Sequence, residues 1–305
     1  MKKLLLFIIL LIFLIFSVYY FNIRPVSNVV INNVTHPIVS AFQDLAKATI
    51  NRPNLETLLT PTLNNYDGNY AVAVKNLSTH ETYYYNESRA YQSASLYKLW
   101  VMAVAYQQIQ NGRFSENQEI SAKIEDLIKN YNVDDAYEQR LSETLDYNLN
   151  NALEMMITVS DNDAALLLVD KVGISNITNF LKQNKLISTD MGTDTTQPVT
   201  SAKDVADFFE NLELGKIAKP QYTDKMLTLL RAQKLNSKIP ALLPKEVVIG
   251  HKTGELDGYS HDAGIVYTPK GNYIIVVLTN TNNPKLANQH IAEISKIVYE
   301  YFVVK

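Results

Sequence analysis

Strand-like sequence stands at both ends of one long helical interval, and that order leaves few folds open to this chain. Residues 69–76 are apolar and β-branched, 77–80 read as a turn, and 81–85 pair back as a hairpin. A short helix is expected over 53–63, with proline in its first turn, and a longer one over about 94–110, stopped by Asn111-Gly112. The interval 115–243 reads as almost wholly helical, in pieces at 149–159, 163–172, 174–183, 201–214 and 225–233. Ser201-x-x-Asp204 opens one of these as a capping-box-like start. Strands return at 246–252, 261–267 and 272–279, with Thr268-Pro269-Lys270-Gly271 as the turn between the last two. An amphipathic helix follows over about 284–302. The expected class is therefore α+β: an antiparallel sheet assembled from both chain ends and flanked by N- and C-terminal helices. An all-helical subdomain is inserted at about 96–245, and a cleft between the two parts is the natural place for a site.

The N-terminal residues have a different character. Lys2 and Lys3 precede an apolar run from Leu4 to Phe21, interrupted only by Ser17. That is close to the roughly 20 residues that span a bilayer. The lysine pair argues for a cytoplasmic N-terminus, with the rest of the chain outside. Tyr19-Tyr20-Phe21 closes the run without an A-x-A-like cleavage site, which favours an uncleaved anchor over a signal peptide. The expected organisation is a membrane anchor at 1–21, an Asn-rich stalk at 22–51 with an amphipathic patch at 38–50, and a catalytic domain at 52–305. A single-pass cell-membrane protein with an extracytoplasmic domain follows, and a monomer is expected.

The composition narrows the chemistry. The 305 residues contain no cysteine, which removes disulfides, thiolate metal sites, a cysteine nucleophile and a lipoprotein anchor together. Five histidines show no metal-ligand spacing, and neither a G-x-G-x-x-G fingerprint nor a P-loop is present. No cofactor is expected. A net charge of −3 gives no global case for nucleic-acid binding.

Three short motifs carry the chemistry: Ser95-Leu96-Tyr97-Lys98, Ser160-Asp161-Asn162 and Lys252-Thr253-Gly254. A serine three residues before a lysine on a helix shares a face with it, so that the amine can take a proton from the alcohol. Ser95 is the candidate nucleophile, at a helix start where its own backbone N–H can help hold an oxyanion. Lys98, flanked by Leu96, Leu99 and Trp100, is the candidate base, since desolvation favours the neutral amine. Ser160 could relay a proton to a leaving nitrogen, Asn162 could bind a substrate amide, and Asp161 would hold the turn. Lys252 and Thr253 would receive a substrate carboxylate, Gly254 would allow close approach to the strand, and Glu255 would offer a second oxyanion N–H. Singly, each motif reads as well as a helix cap, a snorkelling lysine, an interhelical turn or a strand end. Their joint occurrence in this order decides between the two.

With these motifs in their contexts, Ser-Ala-Ser-Leu-Tyr-Lys-Leu, Thr-Val-Ser-Asp-Asn-Asp-Ala-Ala and His-Lys-Thr-Gly-Glu-Leu, the chain resembles the class A β-lactamase-like serine hydrolases. These share a superfamily with penicillin-binding proteins. The likeness covers roughly residues 64–305, and Asp194-Thr195-Thr196-Gln197-Pro198 resembles the segment closing the omega loop of class A enzymes. The resemblance implies Ser95 as nucleophile, Lys98 as base, Ser160 as proton relay and Lys252 as carboxylate anchor. One departure stands out. Class A enzymes carry a loop glutamate that activates the deacylating water, yet residues 163–193 contain no glutamate, and the loop is short. Asp190 is the one carboxylate in that remnant apart from Asp194.

Three functions follow as expectations. The first is an extracytoplasmic acyl-enzyme hydrolase opening β-lactams, slowed at deacylation. The second is a carboxypeptidase or transpeptidase acting on D-Ala-D-Ala cell-wall peptides. The third is a membrane-tethered penicillin-binding or sensor domain without turnover.

Overall fold

The computed structural model describes residues 53–131, 135–193 and 196–304. The expected anchor at 1–21, the stalk at 22–51, and Asp194 and Thr195 lie outside the described residues. Among the described residues no single helix is long and apolar enough to cross a membrane.

Helix α1 (Leu55–Asn64) opens the domain, capped by Asn54, whose side chain accepts from Thr57 N at 2.8 Å. Asn54 therefore supplies the start expected of Pro53. Strands β1 (Asn69–Asn76) and β2 (Thr82–Tyr85) form the expected hairpin. The last three strands are β7 (Val248–Leu256), β8 (Tyr259–Tyr267) and β9 (Tyr273–Asn280), and helix α9 (Pro284–Tyr299) closes the domain. A π-helical turn at Glu300–Val304 follows α9 where a continuous helix was expected. The sheet order is β2-β1-β9-β8-β7, antiparallel throughout, so the two chain ends meet where Asn69 pairs with Asn280.

Alternation along β1 sends Tyr70, Val72 and Val74 to one face and Ala71 and Ala73 to the other. The first set packs with Leu59, Ile291 and Ile294 of the flanking helices. The second packs with the helical part of the chain. Both faces are covered, which is why β1 is apolar at nearly every position.

Between β2 and β7 lie a short pair, β3 (Tyr91–Gln92) with β6 (Val199–Thr200), and most of the helices. Helix α2 (Lys98–Gln110) is the axis of this part: Lys98 through Tyr106 are all buried. A helix apolar all round is one enclosed on every side. Around it stand α4 (Leu149–Thr158), α5 (Asn162–Val172), α6 (Ile174–Gln183), α7 (Ala202–Glu213) and α8 (Pro220–Arg231). Ser201 caps α7 as expected, accepting from Asp204 N. Helix α8 begins five residues before the expected 225, because Pro220 occupies its first turn.

The interval is not wholly helical, and this corrects the sequence expectation. Strands β4 (Glu119–Lys123) and β5 (Thr144–Asn148) pair as a hairpin around the short helix α3 (Ile124–Asn130). Each strand buries one side chain well, Ile120 or Leu145, which is too little apolar alternation to read.

Candidate active site

Ser95 lies not in the first α-helical turn but in a 3-10 turn, Ala94–Tyr97, that leads into α2. Its hydroxyl makes no hydrogen bond within the chain, among the described residues, and it lines a cavity of about 320 Å³. Ala94, immediately before it, has φ +44°, and Ser160 has φ +62°. Non-glycine residues hold such angles at a cost of about 1–3 kcal/mol each, only where the surroundings fix them. Two of the three motifs therefore carry or adjoin backbone strain, a signal the sequence did not offer.

One helical turn on, Lys98 is fully buried. Its Nζ donates to Ser160 O (2.6 Å), Asn162 Oδ1 (2.8 Å), Ser160 Oγ (3.3 Å) and Asp161 O (3.3 Å). Burial lowers its pKa to about 8, against the pull of Asp161 in the other direction. Lys252 reaches the same serine from β7, donating to Ser160 Oγ at 2.9 Å and to Thr253 O at 2.8 Å. Burial and then the charge of Lys98 hold Lys252 well below the ordinary lysine range. The Ser160 hydroxyl thus bridges two buried amines.

Asp161 holds the turn as expected, accepting from Ala164 N at 2.8 Å as the N-cap of α5. Asn162 and Glu255 line the cavity with Ser95. Lys98, Ser160 and Lys252 form the hydrogen-bonded cluster described above, while Thr253 is buried in the strand. Gly254 faces the nucleophile segment: a Cβ there would meet Ser93 O at 3.2 Å, Ala94 Cβ at 3.3 Å and His261 Cδ2 at 3.3 Å. The close approach that calls for glycine here is that of the Ser95 turn to β7.

Several polar residues behind the site escaped the sequence. Lys238, fully buried in the loop before β7, pairs with Glu255 Oε1 at 2.9 Å and donates to His261 O at 3.1 Å. That pairing, chiefly the hydrogen bond itself, holds the Glu255 carboxyl below its ordinary value. His251, next to Lys252, donates from Nδ1 to Asp262 Oδ1 at 2.8 Å, and its Nε2 lies 3.0 Å from the Asn236 amide oxygen. Gly264 opposite lets the two strands approach closely at His251, since a Cβ there would sit 2.5 Å from His251 Cβ. His261 donates from Nε2 to Gln92 O and accepts at Nδ1 from Thr279 N; burial holds it neutral, with its pKa lowered to about 4. Only His251, adjacent to K-T-G, had a sequence signal.

Between α6 and β6 the chain makes a short excursion, tied at Asp190 N to Val199 O and Val199 N to Asp190 O, both 3.0 Å. Asp190 is exposed, and its carboxylate accepts from Gly192 N at 2.7 Å. Met191 of this segment lines the cavity and accepts a hydrogen bond at Sδ from Trp100 Nε1 (3.2 Å). Among the described residues, Glu255 is the one acidic residue on the cavity wall.

Residues 54–302 match the model of the beta-lactamase enzyme family. The fold is similar to that of PBP-A, with a TM-score of 0.73 at 23% identity over 83% of this chain and 97% of that one. A solved PBP-A mutant, an acyl-enzyme complex with penicillin G, superposes with the same figures. A beta-lactamase from Sphaerobacter thermophilus gives a TM-score of 0.70 at 22% identity, over 80% of this chain and 95% of that one. No curated protein sequence matches the chain.

Proposed function

Since the chain belongs to the beta-lactamase enzyme family and is a serine hydrolase of that type, we propose that Ser95 is acylated by a β-lactam or by a cell-wall peptide of the D-Ala-D-Ala type. The single observation that carries the assignment is the amine–hydroxyl–amine bridge of Lys98, Ser160 and Lys252, adjoining a cavity lined by Ser95.

Ser95 Oγ attacks the carbonyl carbon while its proton passes to the neutral Lys98 amine. The oxyanion is received by the backbone N–H groups of Ser95 and Glu255. As the C–N bond breaks, the proton passes from Lys98 through the Ser160 hydroxyl to the leaving nitrogen. This half-reaction leaves the Ser95 ester and an amine, which departs when the donor is a peptide and stays tethered to the acyl group when it is a β-lactam, with no proton gained or lost overall. Lys252 keeps the Ser160 proton mobile, and with Thr253 it draws the substrate carboxylate. Asn162 binds the acyl amide.

Deacylation needs a water activated by a general base, worth typically about 10²–10⁴-fold in rate. Glu255, on the cavity wall, is held as an ion pair by Lys238, and Asp190 is turned to its own loop. We therefore propose a long-lived acyl-enzyme, which favours penicillin binding or peptidase action over fast lactam hydrolysis. The proposed location is the outer face of a membrane, from the Lys2-Lys3 and Leu4-to-Phe21 pattern.

The test follows free penicillin G and enzyme-bound acyl group together, by mass and absorbance, on the full chain. The expected result is stoichiometric acylation with turnover slower than acylation by at least a hundredfold. Rapid hydrolysis without accumulation of the ester would refute the slow deacylation.

A further inference from the structure

Helix α4 ends at Thr158, two residues before Ser160, and the last carbonyls of a helix have no partner within it. Two of them are taken by a segment from far along the chain. Gln233 Nε2 donates to Ile157 O at 2.8 Å, and Lys234 N donates to Thr158 O at 2.9 Å. The Gln233 side chain is held at both ends, because its amide oxygen accepts from Lys234 N and Leu235 N, each at 3.0 Å.

The same segment then crosses to the sheet. Asn236 Oδ1 lies 3.0 Å from His251 Nε2, and Ile239 N donates to Asp262 Oδ2 at 3.0 Å. The other oxygen of that fully buried carboxylate receives His251 Nδ1, so Asp262 holds the crossing segment and β7 together. Gln233 and Asn236 are three peptide steps apart, at most about 11 Å of chain. Residues 233–239 thus form a short irregular strap. One end grips the residues two and three before Ser160, and the other grips the residue before Lys252. None of the strap lines the cavity.

Ser160 Oγ is shared by an amine of the helical part, Lys98, and an amine of the sheet, Lys252. That sharing depends on the spacing of the two parts, since a hydrogen bond weakens steeply as it lengthens. We propose that Gln233 and Asn236 are positioning residues for this relay, and that the strap sets the separation of the S-D-N turn from β7. The proposal rests on the assignment of Ser95 as the acylated serine. Gln233 fixes the helix end that carries the Ser160 turn, and Asn236 fixes the strap to β7 through His251. Slack in either tie draws the Ser160 hydroxyl away from Lys252, and the proton reaches the leaving nitrogen more slowly.

The test is a double-mutant cycle on the full chain, read as the second-order rate constant for acylation by penicillin G. In Asn236→Ala and, separately, Gln233→Ala, both folded by circular dichroism, the constant should fall by roughly tenfold. In a Ser160→Ala background, followed by mass over hours, each substitution should change it by less than about twofold, since no hydroxyl is left to place. Asn236→Asp keeps an oxygen toward His251 and should stay within about threefold of the wild type. Asn236 is exposed, so its two variants decide the matter if Gln233→Ala does not fold. A purely structural strap would leave the constant of the folded enzyme unchanged, or lower it equally with and without Ser160; each of these results overturns the proposal while an adduct on Ser95 leaves that assignment standing. No adduct in the wild-type chain overturns the Ser95 assignment and the role of the strap with it.

Discussion

At the residue scale the site depends on putting amines where water is scarce. Lys98 is buried and has a pKa lowered to about 8, so at neutral pH a minor fraction is already a free base. The acylation rate is therefore expected to rise with pH and level off above about 8, as Lys98 loses its proton. In Lys98→Arg that limb should vanish and the rate fall by at least 10², the size usual for a lost general base. An unshifted pH limb in the arginine variant would assign the titration to another group. Glu255 shows how much of the site lay beyond sequence reasoning. Its place on the cavity wall follows from K-T-G, but its partner Lys238 stands 17 residues away in an irregular loop and belongs to no motif.

Among the elements, β7 and the 3-10 turn of Ser95 are pressed together at Gly254, and β7 and β8 at Gly264. Gly254→Ala should push the Ser93–Ala94 backbone by a few tenths of an ångström. Acylation is expected to fall by roughly tenfold or more, since small misplacements of reacting groups are costly, while the unfolding midpoint changes little. Gly264→Ala is the opposite case: its Cβ would meet Gly250 O at 2.4 Å in the buried sheet. A loss of about 1–3 kcal/mol of stability is expected, read by urea unfolding. Stability intact in Gly264→Ala and lost in Gly254→Ala would reverse this account. Helices with strong 3.6-residue periodicity, such as α6 and α9, were legible in the sequence, as were the paired runs of β1 and β9. The β4/β5 hairpin was not, because three of the five residues of Glu119–Lys123, namely Glu119, Ala122 and Lys123, are poor strand formers, and the strand is held by pairing with β5. The 3-10 character of residues 94–97 was hidden too: the turn lies against β7 at Gly254, a contact between segments far apart in the sequence.

The whole molecule combines these buried charges into one pH profile. His261 has a pKa near 4 in the fold and 6.5 unfolded, so between those values the unfolded chain binds more protons. Its share of stability is complete above pH 6.5 and is lost as the pH falls toward 4. Lys98 is depressed to about 8, so the unfolded chain binds more protons from about pH 8 toward 10.5 and stability rises across that window; Lys252, held well below the ordinary lysine range, acts in the same direction. Buried tyrosines such as Tyr106 and Tyr273 are raised above their ordinary value of 10, so the trend turns down above that pH. Urea midpoints should therefore be lower at pH 4.5 than at 7, and higher at 9.5 than at 7; a midpoint falling from 7 to 9.5 would contradict the burial of the two amines. The three motifs, scattered over 160 residues of sequence, meet because both ends of the chain build one sheet and the helices between them close over it. We propose that this convergence makes Ser95 the acylated residue. Its most direct test is peptide mapping by mass spectrometry of the full chain after exposure to penicillin G. One penicilloyl group is expected, on the peptide containing Ser95, and none in Ser95→Ala that still folds; an adduct on another residue, or one that persists in Ser95→Ala, would overturn the assignment of Ser95.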